Sequence, residues 1–217
     1  MSQPRLLNWI EGAGWLVFSG GASESSDVRS EALARAPGDG VAVYLSLADD
    51  RGDALMDDME DLGAPTGYLV DLLHDDPAFV TRQLEQASIV VLEVSTSLDQ
   101  LLPALREPLV AALKAAYERG VVLLVEGLAI NVFGRWAMND GGEVFEGLNW
   151  VRDVFLEPSI VSASESRAVQ DVLLAYPQAI AVEIGAGSAL ALSAEGRLEV
   201  WGARQVTISL GRHYTSG

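Results

Sequence analysis

Three groups of residues in this chain could do chemistry. The first is the turn Ser19-Gly20-Gly21-Ala22, where successive glycines let backbone amides come close to a bound group. The second is a set of hydroxyls and acids in Ser95-Thr96-Ser97-Leu98-Asp99-Gln100 and Leu156-Glu157-Pro158-Ser159. Ser95, Thr96, Ser97 or Ser159 could act as a nucleophile, and Asp99 with Glu157 could pass a proton as paired carboxylates. No basic residue stands beside any of these hydroxyls, and Ser and Thr recur in loops because they hydrogen-bond nearby backbone. The third is the two histidines. His74, followed by Asp75 and Asp76, reads as a loop residue among carboxylates, and His213 falls in a C-terminal tail.

Composition closes several function classes. The 217 residues contain no Cys, which removes thiolate nucleophiles, cysteine-held metals and disulfides together. The net charge is −17 and Lys114 is the single lysine, so a cationic surface for nucleic acid is hard to assemble. Acid pairs such as Asp49-Asp50, Asp57-Asp58 and Asp75-Asp76 could ligate Mg²⁺ or Ca²⁺, but they read more simply as a solvated acidic surface. No cofactor or metal is expected. Apolar runs such as Val121-Val122-Leu123-Leu124-Val125 stop far short of the roughly 20 residues needed to span a bilayer. The N-terminus carries no secretory pattern, so the expectation is a cytoplasmic protein without a membrane partner.

These residues must be held by alternating strands and helices. Short β-branched runs at 15–18, 41–47, 68–72, 89–92 and 121–125 read as strands buried on both faces. Segments with helical spacing lie between them, at about 25–36, 53–62, 77–86, 103–119 and 128–138. After Gly147-Leu148 come a strand at 154–157, a helix at 164–176, and close-spaced strands at 179–184, 189–193, 198–201 and 206–210. The pattern predicts one α/β domain over residues 1–217: three layers, a mainly parallel sheet with helices on both faces, and an antiparallel C-terminal extension of that sheet. Functional loops then belong at the carboxyl ends of the strands.

The order of landmarks carries a resemblance. Ser19-Gly20-Gly21-Ala22 is followed by Ser46-Leu47-Ala48, Asp61-Leu62-Gly63-Ala64, Tyr68-Leu69-Val70-Asp71-Leu72 and Gln86-Ala87-Ser88-Ile89-Val90. Next come Tyr117-Glu118-Arg119-Gly120-Val121-Val122 and the hairpin Gly196-Arg197-Leu198-Glu199-Val200-Trp201-Gly202 with Val206-Thr207-Ile208. Over about residues 14–210 this series is similar to the cyanophycinase and dipeptidase E family of serine peptidases, whose fold is that of class I glutamine amidotransferases. The match is one of order and hydrophobic pattern, so it speaks to fold more than to function.

The resemblance implies a site whose residues have changed. The family's nucleophile turn, Gly-Thr-Ser-Ala-Gly-Ala, corresponds to Gly127-Leu128-Ala129-Ile130-Asn131-Val132, with Ala129 at the serine. The family's histidine, after the next strand, corresponds to Ser159. Its oxyanion turn Gly-Gly-Asp-Gln corresponds to Ser97-Leu98-Asp99-Gln100, which keeps Asp99 and Gln100 but neither glycine. In the stretch 161–167, which corresponds to the arginines that follow the histidine in cyanophycinases, only Arg167 is basic. The family's paired acids in Gly-Ile-Asp-Glu-x-Thr-Ala are absent from Val182-Glu183-Ile184-Gly185-Ala186-Gly187-Ser188-Ala189.

The expectation is therefore a catalytically inactive homologue that binds a small ligand or a protein through the former active-site hollow. Ala129, Ser159 and Gln100 are its vestigial positions, and Ser19, Gly20, Gly21, Ser97, Asp99 and Glu157 line or border it. The alternative is a hydrolase of acidic or aspartyl peptides with a relocated nucleophile. A third reading is a structural or homo-oligomeric component in which Trp136, Trp150 and Trp201 contribute to an interface.

Overall fold

The computed structural model describes residues 6–21, 27–47, 51–94, 97–159, 166–203 and 205–215. Ser95, Thr96, Asp49-Asp50 and the stretch 160–165 lie outside the described residues, as does the side chain of Ser159.

Five β-branched runs form the parallel heart of the first sheet. They are β2 (Trp15–Ser19), β3 (Val41–Ser46), β4 (Gly67–Asp71), β5 (Ala87–Val94) and β6 (Val122–Gly127), ordered β2-β6-β5-β3-β4. Two antiparallel strands, β12 (Ser188–Ser193) and β13 (Leu198–Gly202), extend it beyond β2. Side chains alternate between its faces. Val17, Tyr44, Val91 and Leu124 pack under α1 (Asp27–Leu33) and α2 (Arg51–Asp61). Phe18, Leu45, Leu92 and Val125 pack with α3 (Pro77–Gln86) and α5 (Leu109–Glu118). Asp76 caps α3 by accepting from the Ala78 and Phe79 amides at 2.8 and 3.3 Å, with Pro77 opening the helix.

The expected antiparallel C-terminal extension of the sheet is present as β12 and β13, while the other C-terminal strands build a second sheet. β12 and β13 join the first sheet. β10 (Val154–Ser159), β11 (Ile180–Gly185) and β14 (Val206–Leu210) build a second, ordered β14-β11-β10-β7-β8, with β7 (Trp136–Met138) and β8 (Val144–Glu146). In it β10 is parallel to β11 and to β7, while β14 and β8 are antiparallel to their neighbours. One face, with Leu156, Val182 and Ile184, closes onto the same core as Phe18 and Val125. The other, with Trp136, Phe155 and Ala181, is covered by α6 (Arg167–Ala175). A short pair, β1 (Asn8–Trp9) with β9 (Val151–Arg152), ties the N-terminal segment on.

Two predicted helices are corrected. In the segment 103–119 the helix is shorter than expected: residues 103–108 form turns after a short α4 (Leu98–Leu101), and α5 starts only at Leu109. Pro103 and Pro108 bracket the interruption, since neither has an amide to donate to a helical ladder. The segment 128–138 is a 3-10 turn, Leu128–Phe133, that passes directly into β7. Trp136, Trp150 and Trp201 are all buried, so the interface role weighed for them does not hold. The predicted loose tail is pinned by the Gly211 amide on the Ala179 carbonyl and the His213 amide on the Pro177 carbonyl.

Candidate functional site

The carboxyl ends of β2, β6 and β5 come together where the sheet passes into its loops. The sharpest point is Gly127, which closes β6 with φ 66° and ψ −142° before the chain coils into the 3-10 turn. That backbone is open to glycine and strained for any residue with a Cβ. The strained strand-to-helix position is thus Gly127, two residues before the one matched to the family's serine. Ala129 is 0% exposed and packs in the core, so it does not line a hollow. Gly21 sits against the elbow, and a Cβ built on it would lie 3.6 Å from the Gly127 Cα. Gly20 is where the two sheets touch: a Cβ there would be 2.1 Å from the Ile184 carbonyl oxygen, so only hydrogen fits.

The other expected residues separate. Ser19 is buried, beside Glu126 in the register of β2 and β6. Ser97 donates its hydroxyl to Asp140 at 2.5 Å, and the other Asp140 oxygen accepts from the Leu98 amide at 3.3 Å, which closes the start of α4. Asp99 and Gln100 are exposed on that helix. Ser159 ends β10 opposite Gly185. Neither histidine approaches it. His74, at the far edge of the first sheet, bonds Asp71 at 2.7 Å, while His213 lies beside Pro177, before the start of β11 and so at the opposite end of the parallel strands. Burial works against the Asp71 charge, but hydrogen bonds from Leu73 and His74 prevail and hold its carboxyl below the usual range.

Glu157 is partnered by Glu183, not by Asp99. The two are Cα neighbours across parallel β10 and β11, on the face also occupied by Phe155 and Ala181. Burial first, and then the neighbouring Glu183, push the Glu157 carboxyl up to about 7, against a 3.2 Å hydrogen bond from the Asn131 amide. Burial likewise raises Glu183, whose two oxygens have no hydrogen-bond partner.

Asn131, in the 3-10 turn, behaves as a substitute peptide unit. Its Nδ2 donates to the Leu156 carbonyl at 2.8 Å and its Oδ1 accepts from the Met138 amide at 2.7 Å, which continues the ladder between β7 and β10 where their backbones part. Asn131→Ala should strand both backbone groups, and the expected loss is about 2 kcal/mol or more. A urea midpoint within experimental error of the parent would show that water replaces the amide at no cost.

A second charged group lies on the other face of the first sheet, and sequence inspection did not single it out. Ser19, Glu126 and Glu93 stand in a row across β2, β6 and β5, and Ser46 with Asp71 continues it on β3 and β4. From α1, Arg29 donates through Nε and Nη2 to one Glu126 oxygen at 3.1 and 2.8 Å, and through Nη1 to Asp58 at 3.0 Å. A polar residue closing each of several buried strands was the available signal, but the helix that answers it is set by tertiary packing. Among the described residues, no three acidic or imidazole side chains converge as a metal site, and no helix is long and apolar enough to cross a membrane.

No family profile matches the sequence, and neither does any curated protein. The chain shares its fold with solved structures. It is similar to a peptidase from an acI-B1 Actinobacterium, with a TM-score of 0.75 at 15% identity over 93% of each chain. It is also similar to a putative peptidase E protein from Listeria monocytogenes EGD-e, with a TM-score of 0.65 at 12% identity over 91% of this chain and 98% of that one.

Proposed function

We propose that this chain is a non-hydrolytic relative of the cyanophycinase and dipeptidase E peptidases that binds a ligand or protein at the carboxyl ends of its strands. The carrying observation is Gly127: the residue on the strained elbow has no side chain, so the position that would present a nucleophile presents a hydrogen atom. Three features support the reading. Ser97, the described hydroxyl candidate with an acidic partner, serves as a helix-end contact of Asp140. Both histidines lie away from the elbow. The paired, poorly satisfied carboxylates at Glu157 and Glu183 are a costly arrangement to retain without a use. We place this work in the cytoplasm, where a chain without cysteines loses nothing to a reducing environment.

The test is mass-spectrometric detection of hydrolysis across aspartyl and β-aspartyl dipeptides and cyanophycin, with an active peptidase as positive control. The expected result is no turnover. The alternative, a hydrolase of acidic peptides with a relocated nucleophile, has its best candidate in Ser97 with Asp140. Turnover that survives repurification and disappears in Ser97→Ala would establish it and overturn the inactive reading.

A further inference from the structure

We infer that Glu157 and Glu183 form the receiving end of a subsite for a cationic nitrogen group, an ammonium or guanidinium carried by the ligand. The inference rests on reading the strand ends as a ligand site, and it names the charge that the ligand brings.

The geometry is that of a two-carboxylate cradle. Parallel register places Glu157 directly across from Glu183, and neighbouring strands are about 4.8 Å apart. Both side chains leave the same face of the second sheet, two residues from the ends of their strands. Glu183 is 2% exposed, yet neither of its oxygens finds a donor. Its neighbour on the other side, Thr207 of β14, donates no hydrogen bond to it. Asn131 supplies one N–H to Glu157, and its remaining amide capacity is committed to Leu156 and Met138. Donors for the pair must therefore come from outside this set.

An ammonium with three N–H bonds, or a guanidinium with five in a planar fork, can serve two carboxylates at this spacing and cancel their mutual repulsion. Glu157 is only partly buried, which gives such a group a side from which to enter. Burial first, and then the facing Glu183, raise the Glu157 carboxyl, as expected of a pair with no counter-charge beside it. An arriving cation would ionise the pair and expel a proton.

Titration calorimetry on the full chain would test this, using methylguanidinium and n-butylammonium as probes and neutral methylurea as the control. Measurements near pH 6.5 in two buffers of different ionisation heat count protons released. At least one cation should bind, with release of up to about one proton per site, and methylurea should not. Glu183→Gln, which preserves size, should weaken binding about tenfold or more and abolish the proton release. No binding of either cation, binding without proton release, or unchanged affinity in Glu183→Gln would each overturn the inference. The hydrolysis panel on the same preparation separates the two readings. Silent peptides with no cation binding leave the non-hydrolytic reading standing and remove this one, whereas peptide turnover with intact cation binding does the reverse.

Discussion

Replacing Arg29 by alanine is expected to destabilise the protein by about 3–5 kcal/mol near pH 8, the cost of breaking a buried pair and leaving one charge behind. Glu126 is 2% exposed and receives two of the guanidinium's N–H groups, while Glu93 stands beside it on the next strand. Without Arg29 these carboxylates face each other under α1 with their main counter-charge gone. The bond to Asp58 matters less, because Asp58 is largely in water.

The sign with pH follows from linkage. In the variant, burial and repulsion raise the folded-state carboxyl above its unfolded value. The penalty is then absent where both states are protonated and grows as pH rises through the carboxylate range. Urea midpoints should therefore show a small deficit near pH 4 and the full one near pH 8. Adding Glu126→Gln to Arg29→Ala should recover a large part of the loss. A deficit below about 1 kcal/mol at pH 8 would mean that water solvates Glu126 in place of Arg29.

Glu157→Gln should have the opposite effect and stabilise the protein by up to about 3 kcal/mol near pH 8, from the shift at 1.36 kcal/mol per pKa unit. The folded carboxyl titrates at about 7 against an ordinary value of 4.5. Below about pH 4.5 it is protonated in both states and contributes nothing. Between 4.5 and 7 the unfolded chain ionises while the folded one holds its proton, so wild-type stability falls across that window and levels off above it. The variant, with nothing to ionise, should keep its stability over the same interval. Equal pH profiles for the two proteins would show that Glu157 is solvated in the native state and would weaken the case for a cation subsite.

Much of the scaffold was legible in the sequence. A strand buried on both faces reads as an unbroken apolar run, as in β2 at Trp15–Ser19 and β6 at Val122–Gly127, and the half-exposed β14 at Val206–Leu210 and α3 at Pro77–Gln86 also fall where local pattern placed them. The candidate site was less legible. Glu157 was named from its neighbourhood but given Asp99 as a partner, because a strand pairing joining residues 26 positions apart leaves no mark in local spacing. Asp140 likewise comes to Ser97 from 43 residues away.

The elbow shows the division most plainly. Gly127 and Ala129 were both visible as small residues after a strand, and the sequence by itself determined that no serine, cysteine or histidine stands among them. Which of the two takes the strained turn was decided by packing. Ile130, Val132 and Phe133 bury themselves between the sheets, and Asn131 is fixed to Leu156 and Met138, so the chain must turn before Leu128, where only glycine bears the angle without strain. Periodicity and composition act over a few residues and are read directly from the chain. The second sheet, the carboxylate pair and the buried Arg29 depend on which distant surfaces exclude water together, and that is a property of the folded whole.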